Sequence, residues 1–150
     1  MIQRIQSVYL LIITLLLALS SFMTIGYFSA DNGLTKAIFK PLAITNGEEV
    51  FSTWALLVLL VFGALLAFIT IFLFKNRPLQ IRLSIFNALL MVGYYGALVF
   101  FIFKTKNALN ADFYADWKIC LPLIAFILNY LAIRAIGKDE VLVKSYDRIR

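Results

Sequence analysis

Histidine is absent from this sequence and cysteine occurs once, at Cys120. The first absence removes the side chain that most often titrates near neutral pH and the commonest metal ligand. The second excludes an intrachain disulfide and a multi-cysteine metal site within the chain. Charge is scarce too: 15% of residues are Asp, Glu, Lys or Arg, while 63% are hydrophobic. With a mean hydropathy of +0.92 over 150 residues, the polar fraction is too small to cover a water-soluble domain, so lipid is the expected solvent. No paired carboxylates, Ser–His arrangement or glycine-rich phosphate loop stands out, so the reading assigns no catalytic residue, no cofactor and no metal. The 14 basic residues exceed the 8 acidic ones, but they cluster between apolar runs, as topology signals do, and nucleic acid is set aside as a partner.

Four apolar runs are present. Residues 5–30 carry no charge, and their apolar core is longer than the ~7–15 residues of a cleaved signal peptide, without a clean cleavage motif. Residues 50–74 and 83–103 are likewise uncharged, and 119–133 form a shorter run between Lys118 and Arg134, whose long side chains can snorkel. The sequence therefore predicts an all-α membrane protein forming one domain over 1–150. Its transmembrane helices fall at about 7–28, 52–74, 83–103 and 117–136, with a cytoplasmic tail at 137–150.

Four crossings divide the basic residues between two sides. Arg4, Lys75, Arg77, Arg82, Arg134, Lys138, Lys144, Arg148 and Arg150 share one side; Lys36, Lys40, Lys104, Lys106 and Lys118 share the other. All the arginines lie on the first side, which the positive-inside rule makes cytoplasmic, with both termini there. Trp54 and Trp117 fall at the expected outer interface, where aromatic anchors collect.

The first outer loop contains Asn32-Gly33 and Asn46-Gly47. The second pair, flanked by LAIT and EEVF, suggests a small β-hairpin, with an irregular loop as the alternative. The second outer loop, KTKNALNADFYAD, leaves room for a short helical turn, and Asp116 is placed to cap the fourth helix. In the tail, Leu142, Tyr146 and Ile149 share one helical face. Such a segment reads as an amphipathic helix on the membrane surface or on a partner, or else as a frayed tail.

No Asp, Glu, Lys or Arg falls in the middle of a predicted span, which argues against a pump or channel made of this chain alone. Small or weakly polar faces remain: Ser7, Thr14, Ala18 and Ser21 on the first helix, Gly63 and Ala67 on the second, Gly93 and Ala97 on the third, and Pro122, Ala125, Asn129 and Ala132 on the fourth. Faces of this kind let membrane helices approach closely. Asn87 and Asn129 lie within hydrogen-bonding range of each other's expected depth; a lipid headgroup or polar substrate is the functional alternative. Asn87, Met91 and Tyr94 line one face of the third helix while Gly93 and Ala97 lie about a quarter-turn away, and two contact faces suggest a second subunit. Lys75, Arg77 and Arg82, with Arg134 nearby, read as headgroup contacts or a docking site for an acidic partner.

The opening MIQRIQSVYLL, the turn KNRPLQIRL and the tail RAIGKDEVLVKSYDRIR together resemble an uncharacterised family of four-helix inner-membrane proteins from Bacteroidota, a domain of unknown function. That resemblance implies a bacterial inner membrane and four helices, and no activity. The expected role is a non-enzymatic accessory subunit of a larger inner-membrane complex, with the Sec translocon and insertase machinery first and a respiratory complex second. The alternative is a small homo-oligomeric carrier or lipid-binding protein with Asn87, Asn129 and Tyr94 lining a polar cleft.

Overall fold

A computed structural model describes residues 2–29, 35–46, 49–74 and 76–147. Four helices, α1 (Ile2–Phe22), α2 (Trp54–Phe72), α3 (Arg77–Leu109) and α4 (Leu121–Asp147), each contain a stretch long and apolar enough to cross a membrane. Their main interfaces are α1 with α2, α2 with α3, α3 with α4, and α4 back onto α1, which closes a four-membered ring. The Gln6 amide near the start of α1 donates to the Ala135 carbonyl on α4 at 3.2 Å, so the start of α1 packs beside the later half of α4.

Every helix turns a stripe of alternating three- and four-residue steps inward: Gln6, Leu10, Ile13 and Leu17 on α1; Leu56, Leu60, Gly63 and Ala67 on α2; Gln80, Ser84, Asn87, Met91, Tyr94 and Leu98 on α3; Ala125, Asn129, Ala132 and Ile136 on α4. The outward faces are the more apolar ones, with Leu89, Phe100 and Phe103 on α3 each more than 60% exposed. This inverts the pattern of a water-soluble bundle and fits a hydrocarbon surround, in which polar groups must be satisfied internally. Hydroxyls accordingly turn back onto their own helices: Thr14 donates to the Leu10 carbonyl, Ser20 to Leu16, Ser21 to Leu17 and Thr70 to Leu66, at 2.6–3.0 Å.

A five-stranded antiparallel sheet covers one end of the bundle. Strands β1 (Gly26–Ser29), β2 (Thr35–Phe39), β3 (Ala43–Asn46) and β4 (Glu49–Ser52) come from the α1–α2 connection, and β5 (Asp112–Ala115) from the α3–α4 connection, in the order β4-β3-β2-β1-β5. Alternation along the strands sorts the side chains. Phe28, Phe39 and Ile44 are fully buried, Phe113 packs against that core, and the Phe28, Phe39 and Phe113 rings stand 5.2–6.1 Å apart. The opposite face shows Ile38 and a stacked pair, Tyr27 and Tyr114, with ring centroids 5.8 Å apart. Gly26 pairs with Ala115 at the end of the β1–β5 ladder, where a Cβ would collide with the Tyr114 carbonyl oxygen and stand 2.7 Å from the Phe113 ring.

Several sequence expectations change. The first helix stops at Phe22, six residues early, and GYFS becomes β1. The expected hairpin exists as β3–β4, with Asn46 itself part of the pairing, opposite Glu49; Gly47 and the Asn32-Gly33 pair lie outside the described residues. The second loop is helical over 104–109, as the end of α3 rather than as a separate turn, and then contributes β5; α3 stops at Asn110, whose φ of 45° is left-handed. α3 also begins at Arg77 instead of 83, with Pro78 in its first turn, where a missing N–H costs least. Residues 117–120 form a 3-10 turn ahead of α4, and Asp116 sits at its N-cap without a side-chain cap bond. The tail to Asp147 is helical as an unbroken continuation of α4 rather than as a separate surface helix.

Candidate functional site: a polar layer inside the bundle

Asn87, Met91 and Tyr94 on α3 and Ala125, Asn129 and Ala132 on α4 are all buried in the bundle, and they face its interior as their spacing required. Gly93 points the other way, outward, and Ala97 lies between the two, half-buried against the core. The quarter-turn offset is therefore real: one face of α3 is internal and the other is open.

The expected Asn87–Asn129 hydrogen bond is not made. Asn129 Nδ2 instead donates to the Ser84 backbone oxygen at 2.8 Å, one helical turn before Asn87. Asn87 turns toward α2, where its Oδ1 lies 3.1 Å from the place a Cβ on Gly63 would take. Both polar atoms of the Asn87 amide, together with Asn129 Oδ1 and Ser84 Oγ, have no hydrogen-bond partner among the described residues, although all three residues are at least 99% buried. Unpaired amide and hydroxyl groups in an apolar interior are costly and mark a place where structure is held for another reason. The adjoining space is small: a chamber of about 10 Å³ lined by Leu17, Leu60, Gly63, Met91, Tyr94 and Pro122, among others. Gly63 and Ser84 belong to this layer and were not singled out with the asparagines. The sequence marks Gly63 only as half of a small pair with Ala67, and the only sequence signal of Ser84 is that it falls on the same three- and four-residue stripe as Asn87.

A second set of polar contacts ties the helices together at the end remote from the sheet. Gln80 Nε2 on α3 donates to the Thr70 carbonyl on α2 at 3.2 Å. Arg77 Nη1 donates to the Asp139 carbonyl at 3.0 Å while Nη2 lies 3.2 Å from Asp139 Oδ2, a charge pair rather than an aligned hydrogen bond. Arg77, expected to meet headgroups or a partner, is thus used within the bundle. Arg82 and Arg134 are exposed. Lys75 and Ile149, and the side chains of Leu142 and Tyr146, lie outside the described residues.

Among the described residues no group of three or more Cys, Asp or Glu side chains is placed to hold a metal. The arrangement can pack helices closely and present apolar faces outward.

Residues 2–149 match a family described as a domain of unknown function, DUF4293. The chain belongs to the DUF4293 family. A search of the curated proteins gives no match. Family membership thus covers the bundle and sheet together and assigns no chemistry to the polar layer.

Proposed function

We propose that this DUF4293 chain is a non-enzymatic accessory or structural subunit of a larger assembly in a bacterial inner membrane. The reading rests on one observation. The outward face of α3 carries the series Leu89, Gly93, Gly96, Phe100 and Phe103, spaced in three- and four-residue steps. Nothing lies within 4 Å of a Cβ built at either glycine, and Leu89, Phe100 and Phe103 are 63–64% exposed around them. A glycine in a helix interior costs about 1 kcal/mol relative to alanine, and in a bilayer that cost is offset where a neighbouring helix packs into the dent. The sequence expectation of Gly93 as a partner contact agrees with this.

In the proposed orientation the termini and the arginine-bearing end are cytoplasmic and the sheet is on the far side, following the positive-inside rule. The Sec translocon and insertase machinery is the first candidate assembly and a respiratory complex the second. The test is purification in mild detergent from cells expressing a tagged chain at native level, with quantitative mass spectrometry, beside Gly93→Leu and Gly96→Leu variants. Stoichiometric membrane subunits should co-purify with the parent and be lost from the variants. Recovery of the chain alone would sink the proposal.

A second reading, a homo-oligomeric carrier or lipid-binding protein, draws on the Asn87 amide, which has no hydrogen-bond partner among the described residues; against it, the chamber beside that amide holds about 10 Å³, far less than a substrate cleft. Cysteine crosslinking from Gly93→Cys in a Cys120→Ser background separates the two. Self-crosslinking supports the homo-oligomer, and a crosslink to another protein supports the subunit.

A further inference from the structure

A crevice of about 110 Å³ lies between the far end of α3 and strands β3 and β4, beside the start of α2. Its volume equals roughly four waters at about 30 Å³ each. The lining divides into two halves. Ser52, Thr53, Lys104 and Thr105 supply polar groups, while Phe51 and Phe101 supply ring surface. Among the described residues no carboxylate lines it and Lys104 makes no ion pair.

Three features give the polar half a positive character. The Lys104 ammonium is the first. The second is the N-terminus of α2, a 19-residue helix whose N-cap, Thr53, makes no side-chain cap bond. Its hydroxyl donates instead to the Lys40 and Pro41 carbonyls, at 3.1 and 3.2 Å; the Leu56 N–H donates to the Thr53 backbone carbonyl at 2.9 Å, and the Trp54 and Ala55 N–H groups are left without a side-chain cap. The third is Thr105. It is 4% exposed and lines the crevice, yet its hydroxyl has no hydrogen-bond partner among the described residues, unlike Thr14, Ser20, Ser21 and Thr70, which bond back to their own helices.

The level of the crevice in the fold identifies the occupant. Lys104 is the first charged residue after the uncharged run 83–103, and Trp54, 62% exposed, opens α2 at the same end. Both mark the boundary where hydrocarbon gives way to headgroups. Phe100 and Phe103, each 63% exposed, flank Phe101 on the hydrocarbon side. We infer that this crevice binds the phosphate of a membrane phospholipid, with Lys104 and the Thr105 hydroxyl donating to phosphate oxygens and the acyl chains leaving past Phe101, the α3 phenylalanine that lines the crevice. The inference rests on the membrane reading of the helices and is independent of whether the chain has subunit partners.

The test is native mass spectrometry of the full chain, delipidated in detergent and titrated with palmitoyl-oleoyl-phosphatidylglycerol. The parent should retain one lipid molecule more tightly than any further ones. Lys104→Gln should weaken that first binding about tenfold or more, as expected for loss of a hydrogen bond to a charged group. Thr105→Val should weaken it severalfold, and Lys106→Gln should leave it unchanged. Ala108→Phe, which fills the crevice and keeps Lys104, should also abolish it, so the result does not depend on one variant folding well. Diacylglycerol, which lacks the phosphate, should not compete. Lipid retention that is indifferent to Lys104→Gln and Ala108→Phe overturns the inference, as does displacement of the lipid by inorganic phosphate at equal concentration, which would make this a free-phosphate site.

Discussion

Asn87 on α3 and Gly63 on α2 meet face to face: a Cβ on Gly63 would stand 3.1 Å from Asn87 Oδ1 and 3.3 Å from Leu17 Cδ1. One missing methyl therefore sets how closely three helices approach. Gly63→Val should lower stability by about 2–3 kcal/mol through overpacking, whereas Gly93→Val, facing open space, should change it by less than about 1 kcal/mol. Denaturant titrations of both variants in the same mild detergent make the comparison. Equal losses at the two sites would refute the buried role of Gly63.

The two asparagines are chemically alike and differently used. Asn129 donates to the Ser84 carbonyl, while both Asn87 amide atoms lack partners among the described residues. Truncation to alanine leaves a similar space at each site, so the difference between them isolates the hydrogen bond. Asn129→Ala should cost more than Asn87→Ala by roughly 0.6–2 kcal/mol, the range for interhelical bonds in membranes. The reverse order would mean that Asn87 carries a partner of its own.

Gly26 tests how the sheet is attached. Its place beside Tyr114 and Phe113 leaves no room for a side chain, so Gly26→Ala must push β5 away from β1. The expected cost is about 3 kcal/mol or less, at the upper end of overpacking penalties, and it should be local. Hydrogen exchange at the β5 amides should quicken while protection in the middle of α3 holds. Uniform loss of protection would show instead that bundle and sheet unfold as one unit.

Length and charge made the four helices legible, because the uncharged runs exceed what a bilayer core needs. Their ends were less so, for physical reasons. GYFS carries no charge and continues the uncharged run of residues 5–30, and the absence of charge does not separate a short buried strand from a helical turn. The polar ends of α3, Arg77 to Arg82 and Lys104 to Leu109, look like loop by composition yet stay helical, stabilised by packing against α4 and the sheet. β5 was invisible as a strand because its partner, β1, lies more than eighty residues away in sequence. In the polar layer, periodicity placed Asn87 and Asn129 inward, but which group each would meet depends on the relative level of neighbouring helices, and no sequence period encodes that.

Arg77 and Asp139 join the start of α3 to the later part of α4, and both side chains are largely buried, at 21% and 13% exposure. Arg77→Ala removes the charge pair and the bond to the Asp139 carbonyl and leaves a half-desolvated carboxylate. A loss of about 1–3 kcal/mol follows. Arg77→Ala with Asp139→Ala should recover part of it, and that recovery in a double-mutant cycle measures the coupling. Amides from 138 to 147 should exchange faster in the single variant, because the clasp is what continues α4 past Gly137. Additive losses would show that the pair contributes nothing beyond its separate parts.

Asp116 gives the fold a defined response to acid. Its carboxylate accepts a 2.7 Å hydrogen bond from Lys118 Nζ, and that bond, ahead of lesser contributions from the charge itself and from the Lys118 and Trp117 backbone, lowers its pKa below the ordinary value of 3.8. A carboxylate whose pKa is depressed in the folded state contributes stability that is present above the unfolded-state pKa and fades as pH falls through the folded one. The 116–118 contact should therefore persist at neutral and mildly acidic pH and open only below the usual carboxylate range. Carbon-13 NMR titration of the Asp116 carboxyl in detergent should find its midpoint below 3.8, and Lys118→Gln should move it upward. A midpoint that does not respond to Lys118→Gln would mean that the lysine is not the cause of the shift.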